Sequence, residues 1–270
     1  MTNRSPAVAG LFYPANPQLL ENSIRGYLEE PGHAAEDARH PMPPPDTLPK
    51  ALIVPHAGFE YSGPVAASGY RLLAAARDRI TRVVLLGPAH RVYVEGMAIP
   101  DVAAFDYPGG SVMLDSQALR DIARLPGVST SNEAHENEHC LEVQLPFLDA
   151  VLDDYRLVPI LIGVCPSKLI AAVLNTLWGG DETLILVSSD LSHFLTYDEA
   201  LTADQQTTRD ITARSISLRD EQACGARAIN GLMEVARARA LEVDVIDLRN
   251  SGDTAGDRSR VVGYGAYALR

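Results

Sequence analysis

Three apolar runs in the sequence each lead into a segment that carries histidine, and this repeated pattern constrains the fold most. The runs and the polar residues after them are 51–54 with His56, 83–86 with His90, and 184–187 with Asp190 and His193. Continuous apolar runs of this length are typical of strands in a parallel sheet that is covered on both faces. Ligands of such sheets bind at the carboxyl ends of the strands. We therefore predict that these side chains meet at one edge of one sheet.

Helical patterns alternate with these strands along the chain. Strands are predicted at 51–54, 82–87, 156–162, 183–188, 241–248 and 260–269, and helices at 16–30, 63–76, 115–124, 141–152, 167–178, 197–214 and 220–239. We interpret 97–114 as short strands, 129–137 as a polar loop and the proline-rich stretch 31–49 as a surface loop. The alternation predicts an α/β fold: a single three-layer α/β/α domain over residues 1–270 with a mostly parallel, mixed central sheet.

Composition limits the classes of protein that fit. The chain has 270 residues, of which 46% are hydrophobic, and a net charge of −12. This acidic balance argues against a nucleic-acid or anionic-membrane surface, which needs a basic face. No apolar run reaches the ~18 residues of a transmembrane helix, and the amino terminus lacks a signal-peptide pattern. We expect Cys140, Cys165 and Cys224 to be free thiols in a reducing cytoplasm.

His56 and His90 are the first candidates for chemistry. Imidazole is the commonest metal ligand in proteins, and the end of a strand holds it rigidly. The alternative is that each is a loop histidine with a backbone hydrogen-bond partner. Neither HExxH nor CxxC spacing is present, so the metal hypothesis depends on position in the fold and not on a local motif.

Asp190 and His193 follow the third apolar run at a spacing that suits a turn. In such a turn the carboxylate can orient the imidazole, and the pair can act as a general base with its orienting group. Equally, Asp190 can cap the turn while His193 packs nearby. The serines among residues 188–192 lack the GxSxG pattern of a serine hydrolase, so a serine nucleophile is disfavoured.

Three further places offer polar or reactive side chains. Cys224 lies among small residues and is either a buried core residue or a thiolate ligand beside the histidines. Glu138 and His139 stand at a predicted helix start, where the carboxylate either complements the helix amino terminus or supports a metal ligand. The loop with Ser251 and Asp253 can bind an anion through its backbone N–H groups, although glycine-rich loops are common.

Several motifs of the chain occur together, in the same order, in one known family. They are VAGLFYP at 8–14, PHAGFEYSG at 55–63, LGPAH at 86–90, EHCLEVQLPF at 138–147, SSDLSH at 188–193, SGD at 251–253 and VGY at 262–264. By these motifs, which run from residue 8 nearly to the carboxyl end, the chain resembles the Memo family. In bacteria and archaea this family is also called AmmeMemoRadiSam system protein B.

The resemblance implies a fold like that of the class III extradiol (LigB-like) dioxygenases, which hold iron(II) with two histidines and a glutamate. In the Memo pattern the metal ligands fall on His56, His90 and, in the third place, Cys224. The base of the dioxygenases falls on His193, with Asp190 beside it, and Tyr61, from the first strand-end motif, is expected in the cleft wall. Because thiolate is softer than carboxylate, it shifts the preference towards Cu(I), Zn or a differently tuned iron.

The resemblance implies a cytoplasmic, metal-dependent redox protein with a His56–His90–Cys224 site and an unknown small molecule or peptide as its ligand. Fe(II) is the expected metal, with Cu and Zn as alternatives. The expected cleft residues are Tyr61, Glu138, His139, Ser251 and Asp253. Alternative functions are a non-catalytic module that binds a peptide or partner in the cleft, and a zinc-dependent hydrolase. The family association implies radical SAM and AMMECR-type system partners.

Overall fold

The computed structural model describes residues 2–30 and 48–270. Its helices are α1 Pro17–Glu29, α2 Phe59–Tyr70, α3 Ser116–Ile122, α4 Asn132–Glu136, α5 Leu145–Val151, α6 Ser167–Leu177, α7 Tyr197–Thr212 and α8 Ala226–Ala238. Its strands are β1 Ala51–Val54, β2 Arg82–Pro88, β3 Met97–Ile99, β4 Ala104–Tyr107, β5 Gly110–Met113, β6 Val128–Thr130, β7 Arg156–Ile162, β8 Thr183–Ser188, β9 His193–Leu195, β10 Val243–Asn250 and β11 Val261–Leu269. Short 3₁₀ helices lie at Arg71–Ala76, Glu142–Gln144 and Ser251–Asp253.

One sheet of nine strands organises the described residues. Its strand order is β10–β11–β1–β8–β2–β7–β3–β6, and β9 pairs with β11. The central strands β1, β8, β2 and β7 are parallel and buried on both faces, as their continuous apolar runs predict. Strand β11 pairs antiparallel with β10 and β1, and β3 pairs antiparallel with β7, so the sheet is mixed. The predicted fold class is confirmed.

Helices cover both faces of this sheet. Successive residues of a strand point to opposite faces, and two neighbours on β11 show the result. Gly69 of α2 approaches Ala266 on one face, while the Thr208 hydroxyl of α7 lies 2.8 Å from the Tyr267 hydroxyl on the other. The single-domain prediction stays a prediction, because residues 31–47 of the predicted loop lie outside the described part of the chain. No helix in the described part combines the length and apolar character of a membrane span.

Two local predictions are wrong near the strand ends. The helix predicted from residue 63 begins at Phe59, because its ring is buried and its N–H donates to the Phe12 carbonyl at 2.8 Å. The stretch 129–137, predicted as a loop, contributes to β6 and α4. The Ser131 hydroxyl caps α4 by accepting the Ala134 N–H, a side-chain cap that favours helix in a polar stretch.

The helix predicted to carry Cys224 begins at Ala226, so the cysteine lies in the turn before α8. Hydrogen bonds to the end of β8 hold this turn. The Cys224 N–H donates to the Asp190 carbonyl and the Gly225 N–H donates to Ser189 Oγ. These bonds bring the start of α8 against the strand ends.

A buried carboxylate attaches the segment before α1 to the rest of the molecule. Glu142 is fully buried and accepts the backbone N–H groups of Ala7 at 2.7 Å and Val8 at 3.0 Å. It also accepts the Tyr13 hydroxyl and the Arg4 guanidinium, each at 2.5 Å. A buried charge is tolerated when its hydrogen-bonding capacity is filled in this way.

Arg4 connects the same segment to the residues that precede Glu142. Its Nε donates to the His135 carbonyl at 2.8 Å and its Nη2 to the Glu138 carbonyl at 2.5 Å. The His135 ring is 2% exposed, and its Nε2 lies 3.0 Å from the Ala98 carbonyl and therefore donates to it. Burial lowers the pKa of His135 to about 4.

We predict that His135 makes the fold less stable in acid. The pKa of His135 is about 4 in the folded protein and 6.5 for an exposed histidine in the unfolded chain. As the pH falls, the unfolded state therefore takes up the proton first. This linkage costs about 2 kcal/mol of unfolding free energy between pH 7 and pH 5. His135→Gln keeps a donor for Ala98 but has no proton to gain. Urea unfolding at both pH values should therefore show a smaller acid loss in the variant, and an equal loss would contradict the assignment.

Candidate metal centre

The three strands that were predicted to converge are neighbours in the sheet, in the order β1, β8, β2. The ring centroids of His56 and His90 are 5.2 Å apart. Cys224 Sγ lies 3.2 Å from Nε2 of His56. One ring nitrogen of each histidine and the Cys224 sulfur all lie within 4.8 Å of one another. The fold therefore brings together the three residues that were predicted as metal ligands.

His56 is buried and held by an uncharged hydrogen-bond network. Its Nδ1 lies 2.9 Å from Ser188 Oγ, which also accepts from Gln144 Nε2 at 2.8 Å. The Ser188 hydroxyl donates its own proton to the Cys140 carbonyl at 2.6 Å. Nδ1 of His56 must therefore be the donor, which leaves the lone pair of Nε2 facing Cys224. Burial, and then the neighbouring His90, hold the pKa of His56 well below its ordinary value, so the ring is neutral.

His90 is held by a carboxylate instead. Glu138 is 2% exposed and accepts the His90 backbone N–H at 2.6 Å and its Nδ1 at 2.9 Å. It also accepts the N–H groups of His139 and Cys140. Burial alone would raise the pKa of Glu138, but the adjacent His139 and His90 imidazoles outweigh it and hold the pKa far below the usual range. Glu138 is thus an anion that orients His90 and leaves its Nε2 free.

His139 packs into the same cluster. Its ring stacks on His90 at 4.8 Å between centroids, lies 5.4 Å from His56 and contacts the Phe12 ring at 4.7 Å. Its Nδ1 is 3.1 Å from a Glu138 oxygen but is not aligned for a hydrogen bond. His90, Glu138 and His139 also place ligand atoms within 4.8 Å. We assign the set with Cys224 instead, because the Glu138 oxygens already accept several N–H groups.

The Cys224 sulfur faces the open nitrogen of His56 from the turn before α8. It accepts the Asp190 N–H at a distance of 3.3 Å. Burial, and then the Asp190 charge, raise the pKa of the thiol, so it is protonated in the metal-free protein. A metal ion would have to displace this proton, which is what coordination of a thiol does.

The predicted orientation of His193 by Asp190 needs correction. The Asp190 carboxylate, which is 5% exposed, accepts the His56 backbone N–H at 2.7 Å. Burial raises the pKa of Asp190, and the nearby His193 is among the groups that oppose this rise. His193 Nδ1 instead lies 2.9 Å from the Leu191 carbonyl, so it donates there and Nε2 is open. The turn after β8 thus points the Asp190 carboxylate towards the loop after β1. The Leu191 carbonyl, and not Asp190, orients the His193 ring.

The remaining predicted cleft residues have different surroundings, and their place in a cleft stays a prediction. Tyr61 is 38% exposed in the first turns of α2. Ser251 is buried, and its Oγ accepts the Val262 N–H at 3.1 Å. Asp253 is exposed and accepts the Asn250 N–H and the Tyr197 hydroxyl, at 3.0 and 2.6 Å. The Asp253 carboxylate therefore closes the 3₁₀ turn, and these hydrogen bonds explain its position without a bound ligand.

The side chains that hold His56 were not predicted from the sequence. Ser188 was weighed only as a nucleophile, and Gln144 was not considered. Both are buried and polar, and Gln144 Nε2 also donates to the Pro55 carbonyl at 2.9 Å. A signal was present, since Gln144 interrupts an apolar helical face and Ser188 ends a continuous apolar strand. That Ser188 contacts His56, and that Gln144 contacts Ser188, depends on tertiary structure.

The fold and this cluster define an α/β protein with two histidines and a cysteine gathered at adjacent strand ends. The Memo-like protein family matches residues 4–268, and the chain belongs to that family. It is 34% identical over 285 aligned residues to a MEMO1 family protein of Methanopyrus kandleri, which covers 99% of each chain. It is 31% identical to a MEMO1 family protein of Sulfolobus acidocaldarius, over 97% of each chain.

A solved structure supports the fold independently. An uncharacterized protein from Escherichia coli K12 is similar with a TM-score of 0.50 and 15% identity. The match covers 81% of this chain and 99% of the other. At this identity the likeness concerns the fold alone.

We predict that Glu138→Gln weakens metal binding by about 10–100-fold, as loss of a carboxylate behind a ligating histidine does. The amide still fills the space but no longer supplies an anion to His90. Competition with a chelator measures the affinity. Glu136→Gln is the matched control, because Glu136 is an exposed carboxylate two residues earlier. Equal affinities in the two variants would contradict the role of Glu138.

Proposed function

We propose that the chain is a metal-dependent redox protein that holds Fe(II) between His56, His90 and Cys224. The observation that supports this most is that the three ligand atoms lie within 4.8 Å of one another. The other nitrogen of each imidazole bonds to Ser188 or Glu138. Metal-ligating histidines almost always use their second nitrogen in this way.

The donor set fits a divalent first-row metal. Bonds of about 2.0–2.1 Å to nitrogen and about 2.3 Å to sulfur place two ligand atoms at most about 4.4 Å apart. Small side-chain movements satisfy this within the 4.8 Å span of the three atoms. The lowered pKa of His56 favours the neutral imidazole that binds a metal. When bound, iron with three protein ligands supplies open coordination positions for a substrate and O₂.

The nitrogen and sulfur donors fit more than one metal. Two imidazoles suit iron, copper and zinc alike, whereas the Cys224 thiolate favours Cu(I) and Zn more than a carboxylate does. We propose Fe(II) first because the family resemblance relates this site to that of iron dioxygenases. Copper and zinc are the alternatives that elemental analysis distinguishes.

His193 is the residue we propose for proton transfer. Its Nδ1 is fixed by the Leu191 carbonyl, so Nε2 is the nitrogen that accepts or releases a proton. This role is supported by the proximity of His193 to His56 and Asp190, whose pKa values it influences. Asp190 positions the backbone of His56 and thereby the ligand itself.

We predict that His56→Ala, His90→Ala and Cys224→Ser each reduce metal affinity by more than the roughly 10–100-fold expected for a supporting residue. Each change removes one donor atom from the proposed set. Elemental analysis and chelator competition on folded protein measure the loss. Cys165→Ser is the control, because Cys165 is a buried thiol outside the cluster. Full occupancy in the His56→Ala/His90→Ala double variant would disprove the site.

Coordination should also protect Cys224 chemically. We predict that metal slows alkylation of Cys224, since the bound sulfur cannot attack the reagent, and that chelation restores the reaction. Cys140 and Cys165 provide internal controls in the same mass spectrum, because both are buried and their pKa values are raised by burial. Alkylation of Cys224 at the same rate with and without metal would remove it from the ligand set.

A third prediction addresses the reaction. Because a thiolate replaces the carboxylate of the dioxygenase pattern, iron-loaded protein should cleave simple catechols poorly. Formation of the ring-opened product from catechol or protocatechuate, followed by absorbance, tests this. Rapid cleavage would show that the ligand change does not decide the chemistry.

The alternative functions give different results in the same samples. A zinc hydrolase would carry stoichiometric zinc and show no change of oxidation state with O₂. A peptide-binding or partner-binding module would keep its binding after the metal is removed. The cytoplasmic location, the absence of nucleic-acid and membrane binding, and the radical SAM and AMMECR-type partners stay predictions.

A further inference from the structure

A cavity of about 360 Å³ opens directly beside the candidate metal centre. It lies between the residues that follow β2, the end of β7 and the start of α8, and both His90 and Cys224 form part of its wall. This volume is at the lower end of the range for small-molecule sites. The cavity therefore offers a small ligand access to the cluster from the side of His90 and Cys224.

About half of the cavity wall is apolar. Val92, Val94, Ile162 and Ala228 line the cavity. At its edge Tyr93 is 78% exposed and Val164 is 50% exposed, which leaves large apolar side chains in water. Such a surface favours a ligand with an apolar body.

Arg227 is the only lysine or arginine among the described residues that line this cavity. Its Nη1 donates to the Gly163 carbonyl at 3.0 Å and its Nη2 to Asp220 at 2.7 Å. A guanidinium group has five N–H donors, so three are left for a ligand. The side chains of Arg227 and Asp220 are 37% and 55% exposed, so this ion pair is screened by water and weak.

The backbone at the start of α8, like Arg227, favours an anionic ligand. The helix begins at Ala226 and has no side-chain cap, and the walls of the cavity include its first residues. The positive end of the helix dipole thus faces the cavity beside the guanidinium. The guanidinium and the helix start would both stabilise an anionic group there, whereas an ammonium group could pair only with Asp220.

We propose that this cavity binds a small monocarboxylic acid with an apolar body, whose carboxylate pairs with Arg227 and whose other end faces the metal. The position of the far end relies on the proposed metal site. The pairing of the carboxylate with Arg227 does not, because the guanidinium and the apolar walls belong to the protein itself. The two parts can therefore be tested separately.

The test uses benzoate and its neutral isostere benzamide as probes, with binding measured by calorimetry on metal-free and metal-loaded protein. We expect wild-type protein to bind benzoate at least about tenfold more tightly than benzamide in both forms, since a charge-assisted pair with arginine is among the stronger hydrogen bonds. Arg227→Gln should abolish this preference, and Arg227→Lys should keep part of it. Arg237→Gln, on the exposed end of the same helix, should keep all of it.

Each other outcome has a definite meaning. A preference that survives in Arg227→Gln, or failure of benzoate to bind either form, overturns the proposal. A preference seen only with metal shows that the carboxylate binds the ion and not Arg227, which also overturns it. If the protein takes up no metal but the Arg227-dependent preference is present, the proposed function fails while the carboxylate site stands. Circular dichroism checks that each variant is folded.

Discussion

The hydrogen bonds to the buried Glu142 carboxylate are the interaction that supports the rest of the site. The carboxylate is fully buried and takes hydrogen bonds from two backbone N–H groups, the Tyr13 hydroxyl and the Arg4 guanidinium. Loss of one partner of such a pair leaves an uncompensated buried charge, at a cost of about 3–5 kcal/mol. Arg4 also holds the Glu138 carbonyl, and Glu138 holds His90. The segment before α1 is therefore part of the support of the candidate metal centre.

The two histidines are supported by different chemistry, and this difference shapes the centre. His56 donates to a serine in an uncharged network, whereas His90 donates to a buried anion. A carboxylate partner makes the ligating nitrogen a better electron donor. The anion also offsets part of the charge of a divalent metal, to which a Cys224 thiolate would add. The buried His56 side of the centre is therefore uncharged, while Glu138 supplies the negative charge on the more exposed His90 side.

The sequence alone predicted the parts of the fold that follow from local patterns. Continuous apolar runs identified the parallel core strands, and strand-end position alone made His56 and His90 candidates. The residues around Cys224 left it open as a core residue or a thiolate ligand, and only the family resemblance favoured the ligand, because no spacing connects Cys224 to the two histidines. The roles of Ser188 and of the Leu191 carbonyl depend on how turns from different strands pack. Such contacts are set by tertiary structure, which periodicity does not encode.

The start of α8 connects the metal centre to the adjoining cavity. Cys224 and Arg227 are three residues apart, and the turn between them is tied to β8 by the Gly225 N–H on Ser189 Oγ. A Cβ atom at residue 225 would lie 2.6 Å from the Ser189 Cβ, so only glycine allows this close approach. The turn that carries Cys224 and leads to Arg227 is therefore packed closely against the residues that follow β8. Coupling of two binding equilibria is reciprocal, so any factor by which a metal ion at Cys224 changed the affinity for a ligand at Arg227 would equal the factor by which that ligand changed the affinity for the metal.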